Sequence, residues 1–155
     1  MRRRIYTETS VIGGCLDVEF RGPSLGLPDL FKSGQAVIVL SDLTRLELDA
    51  GPAAVRRVLD GVAEGNREYV ELTEEAAELA NRYIDEGVLS HSKRVDAQHI
   101  AVATVARVDV LVSWNFRHIV NLDRIRGYNS VNMRCGYPLI EIRTPREVIS
   151  YGSPD

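Results

Sequence analysis

The sequence is poor in cysteine and contains no cysteine motif. Cys15 and Cys135 are the two cysteines among 155 residues, and they are too far apart in the chain to form a metal-binding spacing. This argues against a disulfide framework and against a cysteine-based zinc site. It favours a reducing compartment such as the cytoplasm.

The sequence also lacks an excess of positive charge and a long apolar run. The formal net charge is −3, so nucleic acid would have to bind at a local basic patch rather than through an overall field. No apolar run reaches the roughly 18 residues of a membrane span. The arginines at 2–4 resemble the start of a secretory signal, but Thr7 and Glu8 interrupt the apolar stretch behind them. We therefore expect a cytoplasmic protein that makes no contact with a membrane.

Two common hydrolase motifs are missing as well. The sequence has neither the G-x-x-x-x-G-K-[ST] phosphate loop nor the G-x-S-x-G elbow, so nothing supports nucleotide hydrolysis by those routes. It has no internal repeat, low-complexity tract or linker. The length of the chain predicts one domain over residues 1–155.

Strand and helix patterns alternate along the chain. The run QAVIVL at 35–40 is typical of a strand buried on both faces. Ser41 and Thr73 are predicted helix caps, and TPRE at 144–147 is a capping box for a last helix. The predicted fold is a three-layer α/β/α sandwich with a mostly parallel central sheet. Strands are predicted at 4–8, 35–40, 68–72, 108–113 and 139–143, and helices at 9–20, 41–50, 52–64, 74–86, 92–107 and just after Asn115. Loops are predicted at 21–29 and 127–138, and a short helix near 27–33 is the alternative at the end of the first loop.

Side chains with oxygen ligands lie near the ends of the predicted strands. Glu8 closes the first strand, Glu47 lies on the helix after the second, and Asn115 follows the fourth. Asp96 lies in the first turn of a nearly apolar helix. Parallel sheets bind ligands at the carboxyl ends of their strands, and carboxylate and amide oxygens suit Mg²⁺ or Mn²⁺. Spacing alone does not show that these four positions converge.

Each of the four also has a structural interpretation. Glu8 or Asn115 would serve as a helix cap, and Glu47 would pair with a cation on a solvated helix face. Asp96 would complement the dipole at the start of its helix.

Three other polar or aromatic residues lie close to these positions in the sequence. His99 follows Asp96 by three residues, and on a mostly apolar helix it is more typical of a hydrogen-bonded core residue than of a metal ligand. Trp114 and Phe116 flank Asn115, and we interpret both as core residues rather than as base-stacking platforms.

Four segments of the chain, YTETSV, LSDLTRLEL, VDAQHIAVA and LVSWNFRHI, resemble in this order the signature segments of PIN domains. The likeness spans about residues 4–143 and is greatest to the toxin branch of prokaryotic VapBC toxin–antitoxin systems. It implies a PIN-like α/β/α fold and a Mg²⁺- or Mn²⁺-dependent ribonuclease, with a cognate antitoxin as partner. By motif, the metal-binding and catalytic positions fall on Glu8, Glu47, Asp96 and Asn115.

The resemblance also implies supporting roles for nearby residues. Thr9 or Ser10 would fix either the carboxylate of residue 8 or a metal-bound water, because hydroxyls beside a ligand orient it. Phosphates of a single-stranded or looped RNA would lie against four basic residues near Asp96 and Asn115, namely Lys93, Arg94, Arg117 and His118. Separately from the resemblance, Leu79, Tyr83 and Ile84 on the 74–86 helix are interpreted as core, and the alternative is a face for a homodimer or a partner, which the sequence does not distinguish.

Two positions depart from the family pattern. Glu8 stands where Asp is usual and is one methylene longer, and Asn115 stands where Asp is usual and removes one negative charge. A two-metal site needs that charge more than a one-metal site does. The alternative function is therefore a catalytically weakened or inactive PIN-like module that binds RNA or a protein. A phosphatase or receiver-like domain is disfavoured, since its nucleophile after the first strand would be Asp.

Overall fold

The chain folds around a parallel sheet, described by a computed structural model over residues 1–151. Within these residues the sheet has five strands in the order β3-β2-β1-β4-β5, and every pairing is parallel. β1 is central and pairs with β2 on one side and with β4 on the other. The strands are β1 (Arg3–Thr7), β2 (Ala36–Ser41), β3 (Arg67–Val70), β4 (Val110–Val112) and β5 (Ile142–Arg143).

Helices connect successive strands, as parallel pairing requires. Short 3₁₀ turns at Arg57–Leu59, Glu64–Asn66 and His91–Lys93 supplement the α-helices. The α-helices of the described residues are α1 (Thr9–Gly14), α2 (Arg21–Lys32), α3 (Asp42–Ala50), α4 (Ala53–Arg56), α5 (Glu74–Asp85), α6 (Arg94–Val105), α7 (Leu122–Arg134) and α8 (Pro145–Tyr151).

The sheet separates two apolar layers, because successive side chains of a strand point to opposite faces. Tyr6 belongs to the layer under α5, α6 and α7, and Ile5 belongs to the layer under α1 and α2. Both side chains are fully buried. This confirms the predicted α/β/α sandwich, with a sheet that is wholly parallel. No helix of residues 1–151 is long and apolar enough to cross a membrane.

The predicted caps are confirmed. The hydroxyl of Ser41 accepts a hydrogen bond from the Thr44 amide at the start of α3, and Thr73 does the same for Ala76 in α5. Thr144 and Glu147 exchange the hydrogen bonds of a capping box at the start of α8.

Two predicted loops are wrong over residues 21–29 and 127–134, because those residues are helical, whereas residues 135–138 of the second loop are confirmed. Residues 21–29 belong to α2, in which Pro23 lies in the first turn, where a missing amide hydrogen is tolerated. The buried face of α2, with Leu27 and Phe31, outweighs the cost of Pro28 in its interior. Residues 127–134 belong to α7, which buries Tyr128 and Val131.

Three predicted helices are too long or absent. The helix from residue 9 ends at Gly14. The helix predicted over 52–64 is reduced to α4 and a 3₁₀ turn, because Gly61 has a φ of +92° that breaks the helical path. No helix forms directly after Asn115 in the described chain, where residues 116–119 form turns before α7 begins.

Candidate acidic site

Glu8 leaves the end of β1 and caps α1, with 7% of its surface exposed. Its carboxylate accepts three hydrogen bonds. The Ser10 amide donates to Oε2 at 2.8 Å, the Ser10 hydroxyl donates to Oε1 at 2.7 Å, and the Ser113 hydroxyl donates to Oε1 at 2.6 Å. Neutral donors therefore hold this buried carboxylate in one orientation, which is one of the roles predicted for Thr9 or Ser10.

Ser113 is a site residue that sequence reasoning missed. It directly follows β4. Its hydroxyl donates a hydrogen bond to Glu8, and the same hydroxyl oxygen accepts one from the Asn115 amide at 2.9 Å. Ser10 acts in parallel, since its hydroxyl oxygen accepts from the Trp114 amide at 2.9 Å. The sequence signal that could have identified Ser113 is a hydroxyl residue directly after a buried strand.

Glu47 lies on α3, and its side chain is 40% exposed. Its Oε1 accepts hydrogen bonds from the Thr9 hydroxyl at 2.9 Å and from the His99 ring Nε2 at 2.7 Å. Burial alone would raise the pKa of the Glu47 carboxyl, but the interactions with His99 and Thr9 together lower it. Thr9 thus contacts Glu47, whereas the prediction placed it beside the carboxylate of residue 8 or a metal-bound water.

His99 is buried, with 1% of its surface exposed, and it is hydrogen-bonded on both ring nitrogens. Nε2 contacts Glu47, and Nδ1 lies 2.6 Å from the hydroxyl of Tyr6. This confirms the interpretation of His99 as a hydrogen-bonded core residue. Tyr6 is a second residue that the sequence did not single out, because its partners are far away in the chain.

Asp96 lies in the first turn of α6 and is half-buried. Burial, and next the negative charge of Glu8, raise the pKa of the Asp96 carboxyl, while His118 and His99 oppose the shift. The ring Nδ1 of His118 lies 3.5 Å from Asp96 Oδ2, an electrostatic contact rather than a hydrogen bond. Asp96 and Glu8 are therefore close enough to influence each other electrically.

Asn115 uses its side chain to cap a turn. Its Oδ1 accepts a hydrogen bond from the His118 amide at 3.0 Å, and its backbone oxygen accepts from the amides of Ile119 and Val120. This is the structural interpretation of Asn115 weighed from the sequence. A metal-binding role for this residue stays a prediction.

The four predicted residues lie at the carboxyl end of the sheet, on elements that follow β1, β2 and β4 and at the start of α6. We call the region of Glu8, Glu47 and Asp96 the acidic edge. Among the described residues, no three His, Cys, Asp or Glu side chains gather into a ready-made metal cluster. Mg²⁺ does not require one, because it keeps several waters and binds through one or two carboxylates. The pair of Glu8 and Asp96 fits a hydrated Mg²⁺ or Mn²⁺ of this kind by its donor chemistry.

A basic cavity of about 660 Å³ lies next to Asp96, because His118 lines the cavity and its ring is 3.5 Å from the Asp96 carboxylate. Three of the four predicted RNA contacts line it, and Lys93 and Arg117 are exposed there. The fourth, Arg94, contacts the side chains of Asn81 and His91 instead. The lining residues are Ile84, Gly87, Leu89, Ser90, His91, Ser92, Lys93, Arg117, His118 and Arg124.

The two aromatic residues beside Asn115 differ in burial. Trp114 is 9% exposed, stacks on Phe20 at a centroid distance of 4.7 Å, and donates its ring N–H to the Ser24 hydroxyl at 2.7 Å. Phe116 is 50% exposed, so its interpretation as a core residue is wrong. It follows Asn115 in a surface turn, where no apolar layer covers it.

Comparison with solved structures finds a similar fold in the crystal structure of VapBC2 from Rickettsia felis, in which VapBC2 is bound to a DNA fragment from its promoter. The alignment covers 91% of this chain and 98% of that chain, with a TM-score of 0.57 and 11% sequence identity. No family model matches the sequence, and no curated protein is significantly similar to it. The likeness confirms the PIN-like α/β/α fold that the sequence resemblance implied.

The raised pKa of Asp96 predicts a pH-dependent cost to stability. The folded protein binds the Asp96 proton more tightly than the unfolded chain does, so stability falls as pH rises from the ordinary pKa of 3.8 through the raised value. Asp96→Asn should therefore raise Tm by a few degrees at pH 7 in EDTA and should give no gain near pH 3. Thermal melts followed by circular dichroism measure this.

The matched control is Asp123→Asn, which changes an exposed acid in the first turn of α7. It should bring no gain at either pH, because Asp123 stabilises its helix dipole in water. An Asp96→Asn variant that is no more stable than the wild type at pH 7 would contradict the electrostatic description of the site.

Proposed function

We propose that this protein is a Mg²⁺- or Mn²⁺-dependent ribonuclease, the toxin of a type II toxin–antitoxin pair. The observation that carries the proposal is the placement of Glu8, Glu47 and Asp96 at the carboxyl edge of a parallel sheet, next to a basic cavity. Carboxylates attract the cation, and the cavity attracts the phosphates of the substrate. Such a protein would work in the cytoplasm.

Each residue has a distinct role in this proposal. Glu8 and Asp96 would hold the cation, and Glu47 would contribute the third negative charge, with Asn115 offering a neutral oxygen. A bound Mg²⁺ or Mn²⁺ would supply Lewis acidity for phosphodiester hydrolysis. The hydroxyls of Ser10 and Ser113 keep the Glu8 carboxylate fixed, so it need not reorganise when charge develops on the phosphate.

The basic cavity gives the substrate a path to the acids. His118 lines the cavity and also contacts Asp96, so an RNA strand in the cavity would pass within one side chain of the acidic edge. Lys93 and Arg117 would bind its phosphates, and Arg94 would act at the outer rim. The proposed substrate is an unpaired or looped strand, whose phosphates and bases are both accessible to side chains.

An antitoxin is the proposed protein partner. The similarity to VapBC2 supports it, and the acidic edge would suit a basic side chain from the antitoxin. We also propose that a homodimer is a compatible assembly.

A second candidate function is an inactive PIN-like module that binds RNA or a protein. The observation that favours it is Asn115, whose side-chain oxygen is engaged in capping a turn and which carries no charge. The two functions differ in metal binding and in RNA cleavage, since the inactive module would show neither.

Mn²⁺ binding is the first test, because it needs no knowledge of the RNA target. Mn²⁺ at a hundredfold its dissociation constant should stabilise the wild type by about 2.7 kcal/mol. Asp96→Ala should abolish this stabilisation and any RNA cleavage, since it removes a charged ligand. Calorimetry and thermal melts measure binding, and labelled RNA measures cleavage. Asp123→Ala, the matched surface change, should bind Mn²⁺ as the wild type does. Full binding by Asp96→Ala would overturn the site assignment.

The basic cavity predicts a salt-dependent affinity for RNA. Binding of a fluorescein-labelled oligouridylate in EDTA should weaken when Lys93 and Arg117 are both changed to Gln. The slope of log K against log salt should fall by roughly 0.7 for each lost phosphate contact. Fluorescence anisotropy over a salt series measures both effects.

Arg134→Gln is the control for the cavity, because Arg134 is paired with Glu86 and is not among the cavity's lining residues. It should leave the slope unchanged. Equal slopes for the wild type and the double variant would place the RNA elsewhere on the surface.

Asn115→Asp tests whether residue 115 faces the cation. The added charge should tighten Mn²⁺ binding, measured by calorimetry, if the side chain reaches the first coordination sphere. Asn121→Asp, at the cap of α7, should have no effect. Unchanged affinity in Asn115→Asp would mean that residue 115 serves only as a cap.

A further inference from the structure

A continuous chain of hydrogen bonds connects α3 to α6, and all of its bonds are buried except the one to Glu47. It begins at the Thr44 amide, which donates to the Ser41 hydroxyl at 3.2 Å. The Ser41 hydroxyl lies 2.7 Å from the hydroxyl of Tyr6, which in turn lies 2.6 Å from His99 Nδ1. His99 Nε2 then contacts Glu47, which belongs to the same helix as Thr44.

We propose that His99 is a positioning residue that holds the Glu47 carboxylate in place for metal binding. The inference rests on the proposed function, in which Glu47 contributes to the cation site. It assigns to His99 a task that is separate from ligation, since both of its ring nitrogens are already engaged.

The burial of His99 gives the ring a fixed orientation. With 1% of its surface exposed, it has no access to water as a substitute partner. The ring of Tyr6 packs against it edge-on, with centroids 5.8 Å apart and planes at 72°. A buried imidazole with two partners is costly to rotate, because rotation would leave polar atoms unpaired.

Glu47, by contrast, is free to move without this contact. Its side chain is 40% exposed, and its backbone lies on a surface face of α3. Without His99, the Thr9 hydroxyl would be the remaining donor among the described residues, and it would compete with water for the carboxylate. The bond from His99 therefore selects one orientation for a side chain that could otherwise take several.

The position of His99 on α6 links Glu47 to Asp96. His99 and Asp96 are three positions apart on α6, so they lie on neighbouring parts of its surface. A carboxylate bonded to His99 is consequently set at a fixed offset from Asp96. Tyr6 extends this constraint to β1, whose end carries Glu8.

The test is a double-mutant cycle on Mn²⁺ affinity, measured by calorimetry with Mn²⁺ alone. His99→Leu should weaken binding by about 10- to 100-fold, the usual effect of removing a residue that orients a ligand. In a Glu47→Gln background the same change should have little further effect, because the group it positions has gone. An equal loss in both backgrounds, or no loss in either, would overturn the proposal.

Two further variants separate positioning from folding. His99→Gln keeps a donor near the position of Nε2 and should recover part of the affinity. Tyr6→Phe should weaken binding less than His99→Leu does, because the Nε2 bond survives. Tyr83→Phe is its control, since it also removes a buried hydroxyl hydrogen bond, to Asn132, and should lower stability without changing Mn²⁺ affinity. If Tyr83→Phe weakens Mn²⁺ binding as much as Tyr6→Phe, the proposal fails.

A metal-free measurement distinguishes a failure of the contact between His99 and Glu47 from a failure of the proposed function. In ¹⁵N NMR spectra of the protein in EDTA, Glu47→Gln should shift the His99 Nε2–H signal and speed its exchange with water. Glu68→Gln, which changes a carboxylate paired with Arg4, should not. An unmoved His99 signal means that the contact is absent in solution. A moved signal without any Mn²⁺ binding by the wild type refutes the metal site and leaves the contact standing.

Discussion

Mutual repulsion between Glu8 and Asp96 is the constraint around which the rest of the site is arranged. Burial and the charge of Glu8 both disfavour the ionised form of Asp96. Oriented neutral donors stabilise the Glu8 carboxylate, which accepts its hydrogen bonds from Ser10 and Ser113. Hydroxyls and amides stabilise a carboxylate without cancelling its charge, so the edge keeps a negative potential that an adjacent cationic side chain would remove.

This arrangement depends on the parallel sheet. The last residues of β1 and β4 lie side by side, with Thr7 opposite Val112, and the chain then turns away on both strands. Glu8 and Ser113 are the first residues beyond that pair, so their side chains meet across a short gap. An antiparallel neighbour would have brought the start of a strand to this point instead, and the contact could not form.

Local patterns predicted a large part of this structure. The buried strand at 35–40 and the caps at Ser41 and Thr73 depend on neighbouring residues, so the sequence carries them directly. The loop predicted at 21–29 failed because glycine and proline signals outweighed an amphipathic face whose value comes from packing against the sheet and α8. Tertiary burial of that kind is invisible to a local pattern.

The site shows the same division between local and distant information. The resemblance singled out Glu8, Glu47 and Asp96 as candidates, since each lies in a short recognisable segment. It did not locate Tyr6, Ser113 or the partners of His99, because those contacts join residues that are about 50 to 100 positions apart. Phe116 was misjudged for a related reason: only the turn after Asn115 decides that its ring faces outward.

His118 gives the acidic edge and the basic cavity a common boundary. Its ring contacts Asp96 on one side and lines the cavity on the other. Burial lowers the pKa of His118, and Asp96 opposes that shift. The imidazole therefore separates two regions of opposite charge without the fixed positive charge of Lys or Arg, which would neutralise Asp96. A polyanion drawn to Lys93 and Arg117 would consequently meet Asp96 across an imidazole, and the proposed metal-assisted nuclease function depends on this juxtaposition.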